Sequence, residues 1–302
     1  MAGWQVLAAA VLDLAIGDPR WLPHPVRAIG LWISKQEATL RRTSIGLRFA
    51  GVLLWFGTVI PVAALVAAST WWVPLTAIYW IFSFLAIRDL DRHATRVIDA
   101  LKANEIGLAR EQLAWIVGRD TAHLDAPEII RAAIETVGEN LSDGIVAPLF
   151  FLAIGGPAAM AAYKAVNTLD SMVGYRSEQY RDLGWFSARA DDWANWIPAR
   201  LTAVLIWIVS LAPGFSVRES IRITLRDGGS QPSPNSGWPE AAVAGALGIR
   251  LGGSSTYGGV VSNKAFLGDA KRTLDLAVFP RVRAILYSVA SLSVAAVAVI
   301  RW

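Results

Sequence analysis

Residues 49–68, FAGVLLWFGTVIPVAALVAA, run for 20 positions without a charge. That is the length needed to cross a bilayer core of about 30 Å. In hydrocarbon every backbone N–H and C=O must be bonded within the segment, so such a run folds as a helix. A second apolar run, Trp71–Ile87, follows after Ser69-Thr70. The intervening Trp71-Trp72-Val73-Pro74 suits a turn at the membrane surface, and the pair reads as a helical hairpin. Ala284–Ile300 is a third span. Trp4–Ile16 is short and contains Asp13; it is a span completed by its flanks or a half-span ending at Gly17-Asp18-Pro19. It lacks the basic start of a signal peptide. Gly144–Val166, broken at Gly155-Gly156-Pro157, and Arg200–Pro213 predict re-entrant or membrane-buried helices.

Composition supports this frame. The chain of 302 residues is 54% hydrophobic, 17% charged and has 14 Trp, too apolar for an ordinary soluble protein. Cysteine is absent, which excludes disulfides, thiolate catalysis and Cys-ligated metals. The three histidines are far apart in sequence, and no H-E-x-x-H occurs. The net charge of +4 is spread along the chain and is no nucleic-acid footprint. With four spans (4–16, 49–68, 71–87, 284–300), segments 17–48 and 88–283 share one side, which then holds 27 of the 28 Lys and Arg. By the positive-inside rule that side is cytoplasmic, and both termini lie outside. The expected architecture is therefore an all-α, multi-pass protein of the inner membrane, a single domain over 1–302 with large cytoplasmic helical segments. Within them, residues 88–140 are helical with a break at Asn104–Gly107, and Pro127 opens a new helix. Val217–Leu225 is a short helix with Arg218, Arg222 and Arg226 on one face, a phosphate- or lipid-facing or merely solvated stripe. Another helix starts at Pro239, and 227–237 and 252–263 are Gly/Ser-rich loops. No period-2 strand pattern and no internal repeat is visible.

Polar residues recur at helical spacing between the apolar segments. Glu135, Glu139 and Asp143 stand at i, i+4, i+8; Lys164, Asn167 and Asp170 follow, then Asp191-Asp192 and Asn195. Singly these read as solvated helix faces. As a set beside membrane-buried segments they mark a site, because polar groups are costly there. Oxygen donors without thiol or clustered imidazole suit Mg²⁺, which assigns Glu139, Asp143 and Asp170 to the metal. Lys164 is the anchor for a phosphate or carboxylate, with Glu135 and Asp192 as further catalytic candidates and Asn167 and Asn195 as substrate contacts. Ser233-Pro-Asn-Ser-Gly237 precedes a helix start. Its Ser233, Asn235, Ser236 and Gly237 either receive an anion or form a plain cap in which Ser236 satisfies backbone donors. His24 and Arg27, on a proline-stiffened segment, complete the candidate contacts. No P-loop and no Ser-His-Asp arrangement occurs.

The segments GDPRWLPHPVRAIG, IVGRDTAHLD, ETVGENLSDGIVAPLF, YKAVNTLDSMVGY, ARADDWANWIPARLTA and SPNSGWPEAAVAGALGIRLGG occur in order. They resemble the membrane-bound adenosylcobinamide-phosphate synthase family of cobalamin biosynthesis, CobD/CbiB. One departure is Gly138, where the family pattern has Ala. The resemblance implies ATP-dependent amide formation between adenosylcobyric acid and (R)-1-aminopropan-2-ol or its O-phosphate. Mg²⁺ and ATP are the implied cofactor and co-substrate, the corrinoid is bound as substrate, and membrane lipid and other late cobalamin-pathway enzymes are further partners. Two rival readings rest on the residues alone. One is a membrane prenyl- or phospho-transferase, for which Asp191-Asp192 with Asn195 is only a partial Asp-rich motif. The other is a transporter or scaffold without catalysis.

Overall fold

A computed structural model describes residues 2–19, 21–175 and 177–302; Arg20, inside the first of the motifs above, and Arg176, directly after the fourth, lie outside them. The first half folds as α1 (Gly3–Ile16), α2 (Pro25–Leu40), α3 (Leu47–Trp72), α4 (Thr76–Phe84), α5 (Ile87–Lys102), α6 (Ile106–Ala114) and α7 (Ala126–Leu141). A π-helical turn, Ser142–Val146, leads into α8 (Ala147–Val173), α9 (Trp185–Ala194), α10 (Trp196–Val209), α11 (Val217–Asp227) and α12 (Gly237–Leu247). Strands β1 (Leu251–Tyr257) and β2 (Val260–Leu267) precede a short 3₁₀ turn and α13 (Phe279–Ile300).

Three stretches are long and apolar enough to cross a membrane: Leu47–Trp72, Ala126–Val173 and Leu276–Ile300. The expected span 71–87 is not one of them. Trp71 and Trp72 end α3, and α4 has only nine residues, about 14 Å of helix against a core of about 30 Å. The stretch Ala126–Val173 has 48 residues. As one straight helix it would be about 72 Å long, but the π turn and Gly156 interrupt it. Gly156 leaves helical geometry at φ 72°, at the Gly-Gly-Pro break read from the sequence. Arg301 Nη2 donates to the Leu152 carbonyl beside that break, at 2.9 Å.

Two compact units divide the chain. The first comprises residues 1–86, 143–196 and 293–302. In it α3 carries Pro61, which has no N–H to give to the carbonyl four residues back, Gly57. Trp32 Nε1 of α2 supplies that missing donor at 3.0 Å. Gln36 Nε2 donates to Thr58 Oγ1 at 2.9 Å, so α2 lies along the apolar span α3, and Tyr79 reaches the Pro23 carbonyl. Segment 17–48 therefore does not stand apart from the Trp71–Pro74 turn on the opposite side, where the sequence reading put it. Gly51 meets the Leu183 carbonyl where a Cβ would stand 2.0 Å from it, so only glycine lets this close approach form.

The second unit comprises 87–142 and 197–292. Asn104 ends α5 in the left-handed region, φ 60°, as its sequence position predicts. Asp125 and Glu128 form a reciprocal capping box at the start of α7, with Pro127 in the first turn. The Gly/Ser-rich segment 252–263, expected as a loop, is an antiparallel hairpin, and the chain is not all-α. Tyr257 pairs with Val260, leaving Gly258-Gly259 as a two-residue turn with φ 55° and 79°. Those positive angles match the twist of a hairpin and favour glycine. The turn is held from elsewhere: Asp120 accepts the N–H of Gly258 and of Gly259 at 3.1 and 2.8 Å.

Candidate functional site

In the first unit, polar side chains of α8, α9 and the π turn meet. Tyr163, fully buried, donates from its hydroxyl to Asn195 Oδ1 at 2.8 Å. Asn195, also buried, gives its amide to Asp191 Oδ2 at 3.0 Å. Asn167 gives a longer bond to the other oxygen, at 3.4 Å. Lys164, half-buried, is acted on by the carboxylates of Asp143, Asp18 and Asp191. Asp143 stands on the π turn, a device that recurs at functional sites, and Asp170 acts electrostatically on Asp191. Of the Asp191-Asp192 pair, Asp191 is bonded to both amides, whereas Asp192 has Arg189 at 3.9 Å. Burial and the neighbouring Asp170 charge push Asp191 up to about 7. His24 faces Asp18 at 3.2 Å, and Arg27 is exposed on the first turn of α2.

The second unit holds another polar cluster. Glu135 and Arg119, each with a side chain only 6% exposed, pair at 2.5 Å. Glu135 Oε1 also accepts the Gly252 N–H at 2.8 Å. Arg131, one turn back on α7, donates to the Gly252 and Ser254 carbonyls. These bonds tie α7 to β1 and make Glu135 a clamp on the hairpin. Glu139, exposed, and Glu240, buried, complete the acidic side. Burial, with the charges of Glu139 and Glu135, holds the Glu240 carboxyl well above the usual carboxylate range. Burial opposes the charge of Lys264, but Glu240 and its neighbours outweigh it and raise Lys264. Glu240, Lys264, Arg119 and Asp120 were not singled out from the sequence. Arg119 and Asp120 stand in the IVGRDTAHLD segment, whose charged pair was the available signal.

The loop before α12 bears out the capping expectation in altered form. Ser233, not Ser236, takes backbone donors: its hydroxyl accepts the N–H of Asn235 and Ser236 at 3.3 and 3.4 Å. Ser236 makes no side-chain cap. Asn235 is buried and has Arg200 Nη1 at 3.4 Å, while Arg200 also stacks on Trp238 at 4.5 Å. Gly237 serves close packing rather than flexibility, since a Cβ there would stand 2.6 Å from the Gly228 carbonyl. Two arginines of the α11 stripe are engaged internally. Arg222 bonds Glu219 and Asp269, and Arg226 bonds Asp227 and Asp269.

The proposed metal ligands fall in both units, Glu139 in the second and Asp143 and Asp170 in the first. Among the described residues, no three His, Cys, Asp or Glu side chains are gathered to hold a metal by themselves. Mg²⁺ needs fewer protein ligands, because it keeps waters and takes substrate phosphates beside one or two carboxylates. The oxygen donors of Asp143 and Asp170 fit that chemistry.

Comparison with known proteins gives one family. A family model described as CobD/Cbib protein matches residues 6–286. The chain is 53% identical over 279 residues to a cobalamin biosynthesis protein CobD of Pelobacter propionicus, covering 89% of this chain and 86% of that relative. It is 49% identical over 288 residues to CobD of Geobacter metallireducens, covering 91% and 89%. To the cobalamin biosynthesis protein CbiB of Salmonella typhi it is 44% identical over 298 residues, covering 95% and 93%. No solved structure matches.

Proposed function

The chain belongs to the CobD/CbiB family, and from that premise we propose that it is an adenosylcobinamide-phosphate synthase. In this reading it is a multi-pass inner-membrane enzyme whose site faces the cytoplasm. It joins a propionate carboxylate of adenosylcobyric acid to (R)-1-aminopropan-2-ol or its O-phosphate, with ATP consumed. A carboxylate is a poor acyl donor, so one carboxylate oxygen first takes the γ-phosphoryl of ATP and ADP departs. The amine nitrogen then attacks the acyl carbon. The C–N bond forms, the C–O bond breaks, phosphate leaves with the electron pair, and one amine proton passes to a base.

The observation that supports this most is Lys164, a lysine in an apolar stretch long enough to cross a membrane and under the charges of Asp143, Asp18 and Asp191. Ionisable groups within such apolar stretches are costly and go with function. Lys164 would hold an anionic oxygen of the transferring group in place. Asp191, at about 7, is near the working pH at which a general base is most effective, and Asn195 and Asn167 fix its orientation. Asp143 and Asp170 would hold Mg²⁺, which offsets charge on the phosphoryl when bound.

The test is direct. Protein purified in detergent, given ATP, Mg²⁺, cobyric acid and either amine, should yield an amide-linked product by mass spectrometry. Lys164→Met should lower turnover ~100-fold or more, the usual scale for losing one key electrostatic group, with melting near wild type. A strain lacking the gene should make cobalamin from cobinamide but not from cobyric acid. Failure of cobinamide to rescue it would place the protein at another step.

A further inference from the structure

The first unit contains a cavity of about 360 Å³ between α2, α3 and α4, within the ~300–1,000 Å³ of ligand pockets. Ala28, Ile29 and Trp32 form one wall, and Val62, Leu65 and Val66 of the span α3 form another. The polar groups of Trp32, Tyr79 and Trp80 in its walls are engaged within the protein. Trp32 Nε1 reaches the carbonyl freed by Pro61, Tyr79 gives its hydroxyl to the Pro23 carbonyl at 2.6 Å, and Trp80 Nε1 gives to Ser69 at 2.8 Å. His24, at one end, faces Asp18. Beyond His24 a polar ligand would find no free group to bond there and would lose its own hydration.

We infer that this cavity binds one acyl chain of a membrane glycerophospholipid, with the lipid phosphate beside Arg27. Three observations select a lipid over other apolar ligands. The cavity wall is a helix long and apolar enough to cross a membrane, and Leu65 lines the cavity while 60% exposed, so the opening is on the hydrocarbon-facing side. Exposed tryptophans flank it in sequence: Trp21 precedes the Pro23–Pro25 wall, and Trp71-Trp72 end the same span. Tryptophan concentrates at the level of lipid headgroups. Arg27 is exposed beside Ala28 of the wall and supplies a cation for a phosphate.

The probe is phosphatidylglycerol with a photoreactive diazirine on its acyl chain, in nanodiscs with the full-length protein. Labelling is expected on peptides holding 28–32 and 62–66. Val62→Trp fills the cavity and should cut that labelling ~10-fold, equivalent to about 1.4 kcal/mol, without changing labelling near the exposed Phe49 and Phe56. Arg27→Gln, which touches no wall, should reduce lipid retained through detergent washing, read by native mass spectrometry. If Val62→Trp fails to fold, Ala28→Leu serves in its place. Labelling confined to the exposed face of α3, equal labelling in the filled variant, or lipid retention indifferent to Arg27→Gln would overturn the inference.

Discussion

Replacing Glu135 by Gln separates a structural from a chemical role for this residue. Its carboxylate serves two donors, the Arg119 guanidinium at 2.5 Å and the Gly252 N–H at 2.8 Å. A glutamine has one acceptor oxygen and an NH₂. Whichever way it turns, one of the two donors then meets another donor. If the oxygen stays on Gly252, Arg119 is left charged, with its side chain 6% exposed and no carboxylate in contact. Breaking one partner of a buried pair costs about 3–5 kcal/mol. At a few degrees per kcal/mol that is a fall in melting temperature on the order of 10 °C. Melting in detergent, followed by tryptophan fluorescence, reads the loss. Hydrogen exchange reads its location, because the amides of β1 and β2 should lose protection first. Adding Arg119→Met to Glu135→Leu should cost less than the two single changes together, since the double variant strands no charge. If Glu135→Gln melts within ~1 °C of wild type and still loses turnover, the clamp argument fails and Glu135 acts in the chemistry.

Two other consequences are measurable. Asp191 is raised from 3.8 to about 7, so between those values the folded state holds a proton that the unfolded state has released. Stability should therefore fall as pH rises through that window, by at most about 1.4 kcal/mol per unit, and Asp191→Asn should flatten the decline; an identical pH profile in the variant refutes the assignment. Asp120→Ala removes the acceptor of two turn amides and should cost about 1–2 kcal/mol, with exchange rising at 258–261; unchanged exchange there would show that the glycines alone hold the turn.

Features that depend on neighbouring residues were legible in the sequence. The charge-free run gave α3, Pro127 gave the start of α7, and Gly155-Gly156-Pro157 gave the break in α8. The hairpin was not legible because its support is remote. Asp120, Arg131 and Glu135 hold it from more than 100 positions away, while its own residues are glycines and serines with little strand preference. A Gly-Gly pair flanked by STY and VVS was the only local cue. The arginine stripe shows the same limit. Spacing put Arg222 and Arg226 on one face, but Asp269, which meets both, lies 47 and 43 positions on.

The acidic set shows where periodicity itself stops being a guide. Glu135, Glu139 and Asp143 share a face only if the helix keeps 3.6 residues per turn throughout. The backbone keeps that period to Leu141 and then widens into the π turn that carries Asp143. A π turn takes i→i+5 bonds, so the phase of the face slips within it. Glu135 and Glu139 accordingly share a unit with Arg119, Lys264 and Glu240, whereas Asp143 joins Lys164, Asp170 and Asp191. One sequence pattern thus feeds two polar clusters, and the carboxylate beyond the slip acts on the one lysine of α8.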